Sequence, residues 1–163
     1  MAKNAYQGYW QVFGGAWSLL RSTYFLLAII ITLISKPLWI ERPAQPPAWI
    51  ELATAIVPNL LGFALGGMAI MLSFSSGRFL EAIRQSGRED SYFMKMMASF
   101  FHFSIILTAA LIIAILSKSQ HNEYLSVIGM GFLLYGILLV PATAASIWHT
   151  ARVFNASVDD EEE

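Results

Sequence analysis

The sequence predicts an all-α integral membrane protein, with four transmembrane helices and an N-terminal amphipathic helix at the membrane interface. Of its 163 residues, 56% are hydrophobic and only 13% are charged, whereas a soluble domain carries about 25% charged residues. The apolar residues are gathered in long runs, which is the pattern of membrane spans. Lysine and arginine are spread unevenly between the connecting segments, and this unevenness predicts the orientation.

Four apolar runs predict the spans, at about residues 22–40, 50–77, 96–117 and 124–148 of a membrane domain that covers 21–150. The first run is short, because the residues between Arg21 and Lys36 give a helix of only about 21 Å, against a hydrocarbon core of about 30 Å. Both cations can extend their charged ends toward the head groups, so the span remains feasible. The prolines that follow it predict a stiff, extended linker.

The positive charges predict where the termini lie. Four spans place both termini and the loop between spans two and three on the same side of the membrane. Most of the cations fall on that side, so both termini are predicted to be cytoplasmic. The cations on that side are Lys3, Arg21, Arg78, Arg84, Arg88, Lys95 and Arg152, against Lys36, Arg42 and Lys118 on the other.

Residues 1–20 carry a regular aromatic pattern. The aromatic residues recur at spacings of three and four, which places them on one face of a helix. They are Tyr6, Tyr9, Trp10, Phe13 and Trp17. The pattern predicts an amphipathic helix on the cytoplasmic leaflet, broken near the Gly14-Gly15 pair. An ordinary flanking segment that packs on the bundle and a gating or sensing element are both compatible with it.

The polar segments at the cytoplasmic side suggest contacts outside the bundle. Arg78, Arg84, Arg88 and Lys95 lie in the loop between spans two and three, where they can touch anionic lipid head groups. Residues 151–163 form an acidic tail that is predicted to be solvated. Docking of a basic partner on this tail is the alternative.

A stripe of small residues runs along the second span. Gly62, Gly66, Ala69 and Ser73 follow one another at spacings of four, three and four. In lipid, small residues let helices approach closely, so the stripe predicts a packed interior helix or a homo-oligomer interface.

Two polar residues lie within predicted spans. Asn59 follows Pro58, which removes a backbone donor. His102 lies among phenylalanines in the third span. Each side chain either forms a hydrogen bond between helices or faces a pore or ligand, because unsatisfied polar groups are costly in lipid.

The sequence provides no sign of catalysis. It has no cysteine, and the motifs of metalloproteases, hydrolases and nucleotide-binding loops are missing. No catalytic residue, metal site or cofactor is therefore predicted, and the chain is not expected to be an enzyme. The formal net charge of −1 argues against a nucleic-acid partner.

The segment VPNLLGFALGGMAIMLSF, residues 57–74, followed by RFLEAI at 78–83, resembles a segment of small four-span bacterial inner-membrane proteins. It is similar in plan to the KwaA-like membrane subunit of the Kiwa phage-defence system. Outside these residues the resemblance extends only through hydropathy. It implies a homo-oligomeric sensor or effector in the bacterial inner membrane that works with a cytosolic partner. The resemblance does not assign a function to any individual residue.

Two functions fit these observations. The first is an oligomeric membrane subunit that senses membrane state or recruits a cytosolic protein, in bacterial defence or stress. The second is an ion channel or pore-forming effector, which Asn59 and the glycine- and proline-rich spans would serve.

Overall fold

The computed structural model describes residues 4–42, 45–73 and 83–159; within these ranges, the side chains of residues 5–7, 16 and 153–159 are not described. The described backbone is helical apart from its connections, and no β-strand occurs in it. The all-helical prediction is therefore confirmed. The helices are α1 (Ala5–Phe13), α2 (Gly15–Leu20), α3 (Thr23–Ile34), α4 (Lys36–Trp39), α5 (Ala48–Ser73), α6 (Tyr92–Gln120) and α7 (Glu123–Asp159).

Helices α5, α6 and α7 are each long and apolar enough to cross a membrane. They correspond to the second, third and fourth predicted spans. Helix α6 extends beyond the predicted limits 96–117 at both ends. Helix α7 continues through Asp159, so that residues 151–159 of the predicted tail are helical. Neither Pro58 in α5 nor Pro141 in α7 ends its helix.

The predicted first span, residues 22–40, is not one continuous helix. Helix α3 has 12 residues, a length of about 18 Å that is short of the hydrocarbon core. Ser35 then separates α3 from the four-residue helix α4. A fourth crossing arises only if Gly8–Leu20 and α3, which meet at 46°, form one bent span. Four spans therefore remain a prediction.

The N-terminal segment divides at the glycine pair. Gly14 has a φ of 93° and Gly15 a φ of 73°, values that glycine adopts without the steric cost that a Cβ brings. This left-handed step ends α1 before α2 begins. The position of this segment at a membrane interface stays a prediction.

Helix α6 is the centre of the fold, packed against α5 on one side and α7 on the other. Helix α3 packs against α7, and α1 packs against α6. Several residues of the core between the long helices are at most 1% exposed. They include Trp49 and Val57 of α5, Phe100, Phe103 and Leu107 of α6, and Leu133 of α7. In lipid, such contacts stabilise the bundle mainly through close van der Waals packing.

Three glycines allow this close packing. A Cβ at Gly129 would lie 2.2 Å from Trp49 Cη2, one at Gly67 2.6 Å from Phe100 Cε1, and one at Gly136 2.7 Å from Leu107 Cδ2. Contacts this short would force the neighbouring side chains to shift, which is destabilising in a packed core. These positions, rather than the predicted stripe, are where small residues bring the described helices together.

Side chains fix the ends of the long helices. The Ser91 hydroxyl accepts a hydrogen bond from the Met94 backbone at 3.4 Å and caps α6. His121, with a φ of 47°, ends α6 in the left-handed conformation. The Asn122 carboxamide then accepts from the Tyr124 backbone at 2.9 Å at the start of α7. This two-residue connection makes α6 and α7 antiparallel neighbours.

Candidate functional site

His102 forms a buried hydrogen-bonded junction between three helices. The imidazole is on α6 and is 3% exposed. Its Nε2 lies 3.0 Å from the hydroxyl oxygen of Tyr135 on α7, and its Nδ1 is hydrogen-bonded to the hydroxyl of Tyr9 on α1. We call Tyr9, His102 and Tyr135 the tyrosine–histidine junction.

The donors and acceptors of the two hydrogen bonds in this junction depend on each other. A neutral imidazole donates from one nitrogen and accepts at the other. One tyrosine must therefore donate to His102 and the other must accept from it. Exchange of the tautomer reverses both bonds, so the ring can pair with its two partners in either sense. Chemically, the junction can hold three helices together through these two hydrogen bonds.

Aromatic rings enclose the same histidine. The ring of Phe13 on α1 stacks on the His102 ring at a centroid distance of 4.1 Å and an interplanar angle of 24°. Tyr9 packs edge-on against Phe101 with centroids 5.2 Å apart. Tyr9 and Phe13 of α1 thus both contact His102 of α6, and these contacts hold α1 against the bundle.

The remaining aromatic residues of this segment point elsewhere. Trp10 is 40% exposed and Trp17 69% exposed, while Tyr9 is buried. The aromatic face predicted from the sequence is therefore divided between the bundle and the surroundings. The side chain of Tyr6 lies outside the described part of the structure.

A cavity of about 740 Å³ with both polar and apolar walls lies beside the junction; we call it the polar cavity because serine, threonine and arginine side chains line part of it. His102 and Tyr135 form part of its wall, and Arg21 and Ser22 lie at the turn between α2 and α3. Its lining includes the hydroxyl-bearing residues Ser18, Ser22, Thr23, Ser99, Thr143 and Ser146, and no acidic residue of the described ranges belongs to it. Three of these hydroxyls already donate to backbone carbonyls of their own helices: Ser99 to Lys95, Thr143 to Leu139 and Ser146 to Ala142. A group that enters this cavity from outside therefore meets the positive charge of Arg21.

The small-residue stripe faces away from the bundle. Gly62, Gly66, Ala69 and Ser73 are all exposed on α5, and a Cβ added at Gly62 or Gly66 would meet nothing within 4 Å. The opposite face of α5 carries its buried residues, among them Ala53, Val57 and Ala64. The stripe thus takes no part in packing within the described chain and is free for another molecule.

Asn59 belongs to this outward face, three residues before Gly62. Its side chain is exposed, and its amide nitrogen donates to the Ala55 carbonyl of the same helix at 3.0 Å. The Asn59 side chain thus satisfies its amide donor within its own helix. Within the described chain, therefore, Asn59 neither joins two helices nor lines a passage between them.

The cations that were predicted to touch lipid head groups differ in whether they already have a partner. Arg88 donates two hydrogen bonds to Asp90, at 3.0 Å and 2.9 Å. These bonds raise the pKa of the Arg88 guanidinium and lower the pKa of the Asp90 carboxyl. Arg84 and Lys95 are exposed, and Arg78 lies outside the described residues.

Metal binding finds no support in the described ranges, where no three histidine or acidic side chains are close enough to hold an ion. Comparison of the chain with known protein families, curated proteins and solved structures finds no match. The three long apolar helices fit the class of multi-pass membrane proteins, and beyond that class the function is argued from the site.

Sequence reasoning singled out His102 but not both of its partners. Tyr9 was one of several aromatic residues, and Tyr135 was not singled out at all. A phenol inside a span carries a hydroxyl that needs a partner in lipid. That requirement was the signal that could have linked Tyr135 to His102.

Proposed function

We propose that this chain is a homo-oligomeric subunit of the bacterial inner membrane that senses membrane state or recruits a cytosolic protein, in defence or stress. In this proposal both termini are cytoplasmic, and the N-terminal segment lies at the cytoplasmic leaflet. The KwaA-like resemblance of residues 57–83 is the basis for placing it in defence.

The observation that carries the proposal is the attachment of α1 to the bundle through the tyrosine–histidine junction. One side of the N-terminal segment is fixed by Tyr9, and Trp17 on α2 is exposed. An exposed tryptophan favours the membrane interface. A change at the interface that displaces this segment would break hydrogen bonds of His102, and would so be transmitted to α6 and α7.

Self-association is supported by the outward face of α5. Only 17% of the most apolar window of α5 is buried within the chain, against 39% for α6. The exposed Gly62 and Gly66 would let a second copy approach closely. The Asn59 carbonyl on the same face would gain a donor from that copy.

Channel activity is the second candidate, and the position of Asn59 favours it. An oligomer assembled through this face of α5 would gather one Asn59 amide from each copy. A ring of amides could line a pore where a single chain offers none.

Purification of the full chain from a bacterial membrane in mild detergent tests these alternatives. A homo-oligomer that carries a stoichiometric cytosolic protein supports recruitment, and the partner then identifies the process. A homo-oligomer without a partner that dissipates the membrane potential on overexpression supports the channel. A monomer without a partner would overturn both.

A further inference from the structure

Two cavities, one partly polar and one apolar, meet at Tyr135. The polar cavity beside the junction has Tyr135 in its wall. The second cavity is an apolar groove of about 350 Å³ between α3 and α7, and Tyr135 also lines it. A single ligand can therefore occupy both, provided that it has a polar and an apolar part.

The groove follows the helix axis away from the polar cavity. On α3 it is bounded by residues at spacings of three and four, from Phe25 to Leu33, a distance of about 12 Å along the helix. On α7 it runs past Gly131, where the missing side chain leaves room next to Thr32. The groove is thus elongated, and it suits an extended hydrocarbon chain.

The polar cavity selects for negative charge. Arg21 lies in its wall, and within the described residues no carboxylate pairs with this guanidinium. The other polar groups of the lining are hydroxyls and the junction itself. The phosphate of either an anionic or a zwitterionic phospholipid can accept paired hydrogen bonds from arginine. The two differ in the ammonium of the zwitterionic head group, which would lie here beside Arg21 without an acidic partner.

We propose that these cavities form a specific site for an anionic glycerophospholipid of the surrounding bilayer, such as phosphatidylglycerol. The phosphate pairs with Arg21 in the polar cavity, and one acyl chain lies in the groove between α3 and α7. Tyr135 contacts the lipid where the two parts join. The bound lipid then lies directly beside His102.

This inference rests on the membrane setting of the proposed function and on no other part of it. Neither an oligomer nor a cytosolic partner is needed for the lipid to bind. The site also differs from the loop cations Arg84 and Lys95, which are exposed on the segment before α6 and at its start.

Native mass spectrometry of the full chain in mild detergent tests the site. The protein is delipidated and then titrated with phosphatidylglycerol or phosphatidylethanolamine. We expect one tightly held phosphatidylglycerol per chain and weaker retention of phosphatidylethanolamine. Arg21→Gln should reduce phosphatidylglycerol retention by about tenfold, because a charge-assisted pair is lost. Arg21→Lys should retain the preference for the anionic lipid.

Two further variants separate the head-group site from the groove. Gly131→Leu places a large side chain at the groove and should also reduce retention. A Cβ at this position would lie 3.7 Å from Thr32 Oγ1, which is an ordinary van der Waals distance. Lys36→Gln removes an exposed cation outside both cavities and should change nothing. Circular dichroism checks that each variant is folded.

Equal retention of both lipids by the wild type, or unchanged retention in Arg21→Gln, would overturn the proposal. Unchanged retention in Gly131→Leu would show that no acyl chain occupies the groove and would overturn it as well. The same spectra give the mass of the oligomer. Loss of lipid with an intact oligomer is therefore distinguishable from failure of the proposed assembly.

Discussion

His102 Nε2 lies 3.0 Å from the Tyr135 hydroxyl oxygen, at a point where both side chains are 3% exposed. Buried polar groups in a membrane protein are stable only when they are paired. This contact joins α6 to α7, and the bond from Tyr9 to the same ring adds α1. The first prediction concerns this junction.

Replacing Tyr135 by phenylalanine leaves one imidazole nitrogen without a partner. We expect a loss of about 1 kcal/mol in the free energy of unfolding in detergent, the scale of one hydrogen bond between membrane helices. Tyr9→Phe should cost a similar amount and should also increase protease cleavage near Gly14, because α1 is released. Tyr124→Phe is the matched control, since Tyr124 is 79% exposed. Equal effects in all three variants would contradict the junction.

Gly129→Ala should destabilise the bundle. The new methyl group would lie 2.2 Å from Trp49 Cη2 and 2.8 Å from Ile113 Cγ2, and overpacking of this kind costs about 1–3 kcal/mol. Gly62→Ala, which meets nothing within 4 Å, should leave the stability of the chain unchanged or slightly higher. Thermal unfolding of both variants in the same detergent compares them. Equal melting temperatures would show that Trp49 does not pack on Gly129.

Gly66→Leu tests the outward face of α5. A larger side chain at this position finds open space within the chain, so the fold should persist, while a second copy would be kept at a distance. We expect the mass of the complex to fall to that of the monomer. Ala145→Leu adds the same bulk at an exposed position of α7 and should leave the mass unchanged. An oligomer that survives Gly66→Leu is not assembled through this face.

The Arg88–Asp90 pair predicts a small dependence of stability on pH. The hydrogen bond from Arg88 holds the pKa of the Asp90 carboxyl below its usual value. The pair therefore contributes stability above the ordinary aspartate pKa of about 3.9, and this contribution is lost as the pH falls through the lowered value. NMR titration of the Asp90 carboxyl carbon measures the shift. In Arg88→Gln the midpoint should rise toward the ordinary value; an unchanged midpoint would refute the pairing.

The chain has no cysteine, so single cysteines can report the side of the membrane. Ser86→Cys, before α6, and Ser119→Cys, near its end, should be labelled from opposite sides. With four spans, Ala2→Cys should be labelled from the same side as Ser86→Cys. If Ala2→Cys is instead labelled from the same side as Ser119→Cys, the N-terminal segment does not cross the membrane and the chain has three spans.

The long helices could be predicted because hydropathy alone produces them. An apolar run of more than twenty residues has to satisfy its backbone groups internally in lipid, and the α-helix does so. Helices α5, α6 and α7 follow from this rule. The first span is harder to predict, because the apolar run before Lys36 is short. Ser35 also divides the predicted span 22–40 into α3 and α4. Its crossing depends on how α1, α2 and α3 are joined.

The candidate site could be predicted only in part. The sequence singles out His102 as a polar residue in lipid, and it singles out the small-residue stripe as a packing surface. It cannot tell that Gly67, Gly129 and Gly136 take the close contacts while Gly62 and Gly66 face outward. Helical spacing groups residues on a face, but it does not specify which face meets a neighbour.

The sequence by itself therefore determined the three long apolar helices, which fit the class of multi-pass membrane proteins, because long apolar runs favour helices that satisfy their own backbone groups. The tertiary structure decided which residues meet. The pairing of Tyr9, His102 and Tyr135, and the union of a polar cavity with an apolar groove at Tyr135, join residues more than thirty positions apart. Such contacts depend on the rotation and order of packed helices, which no local pattern in the chain specifies.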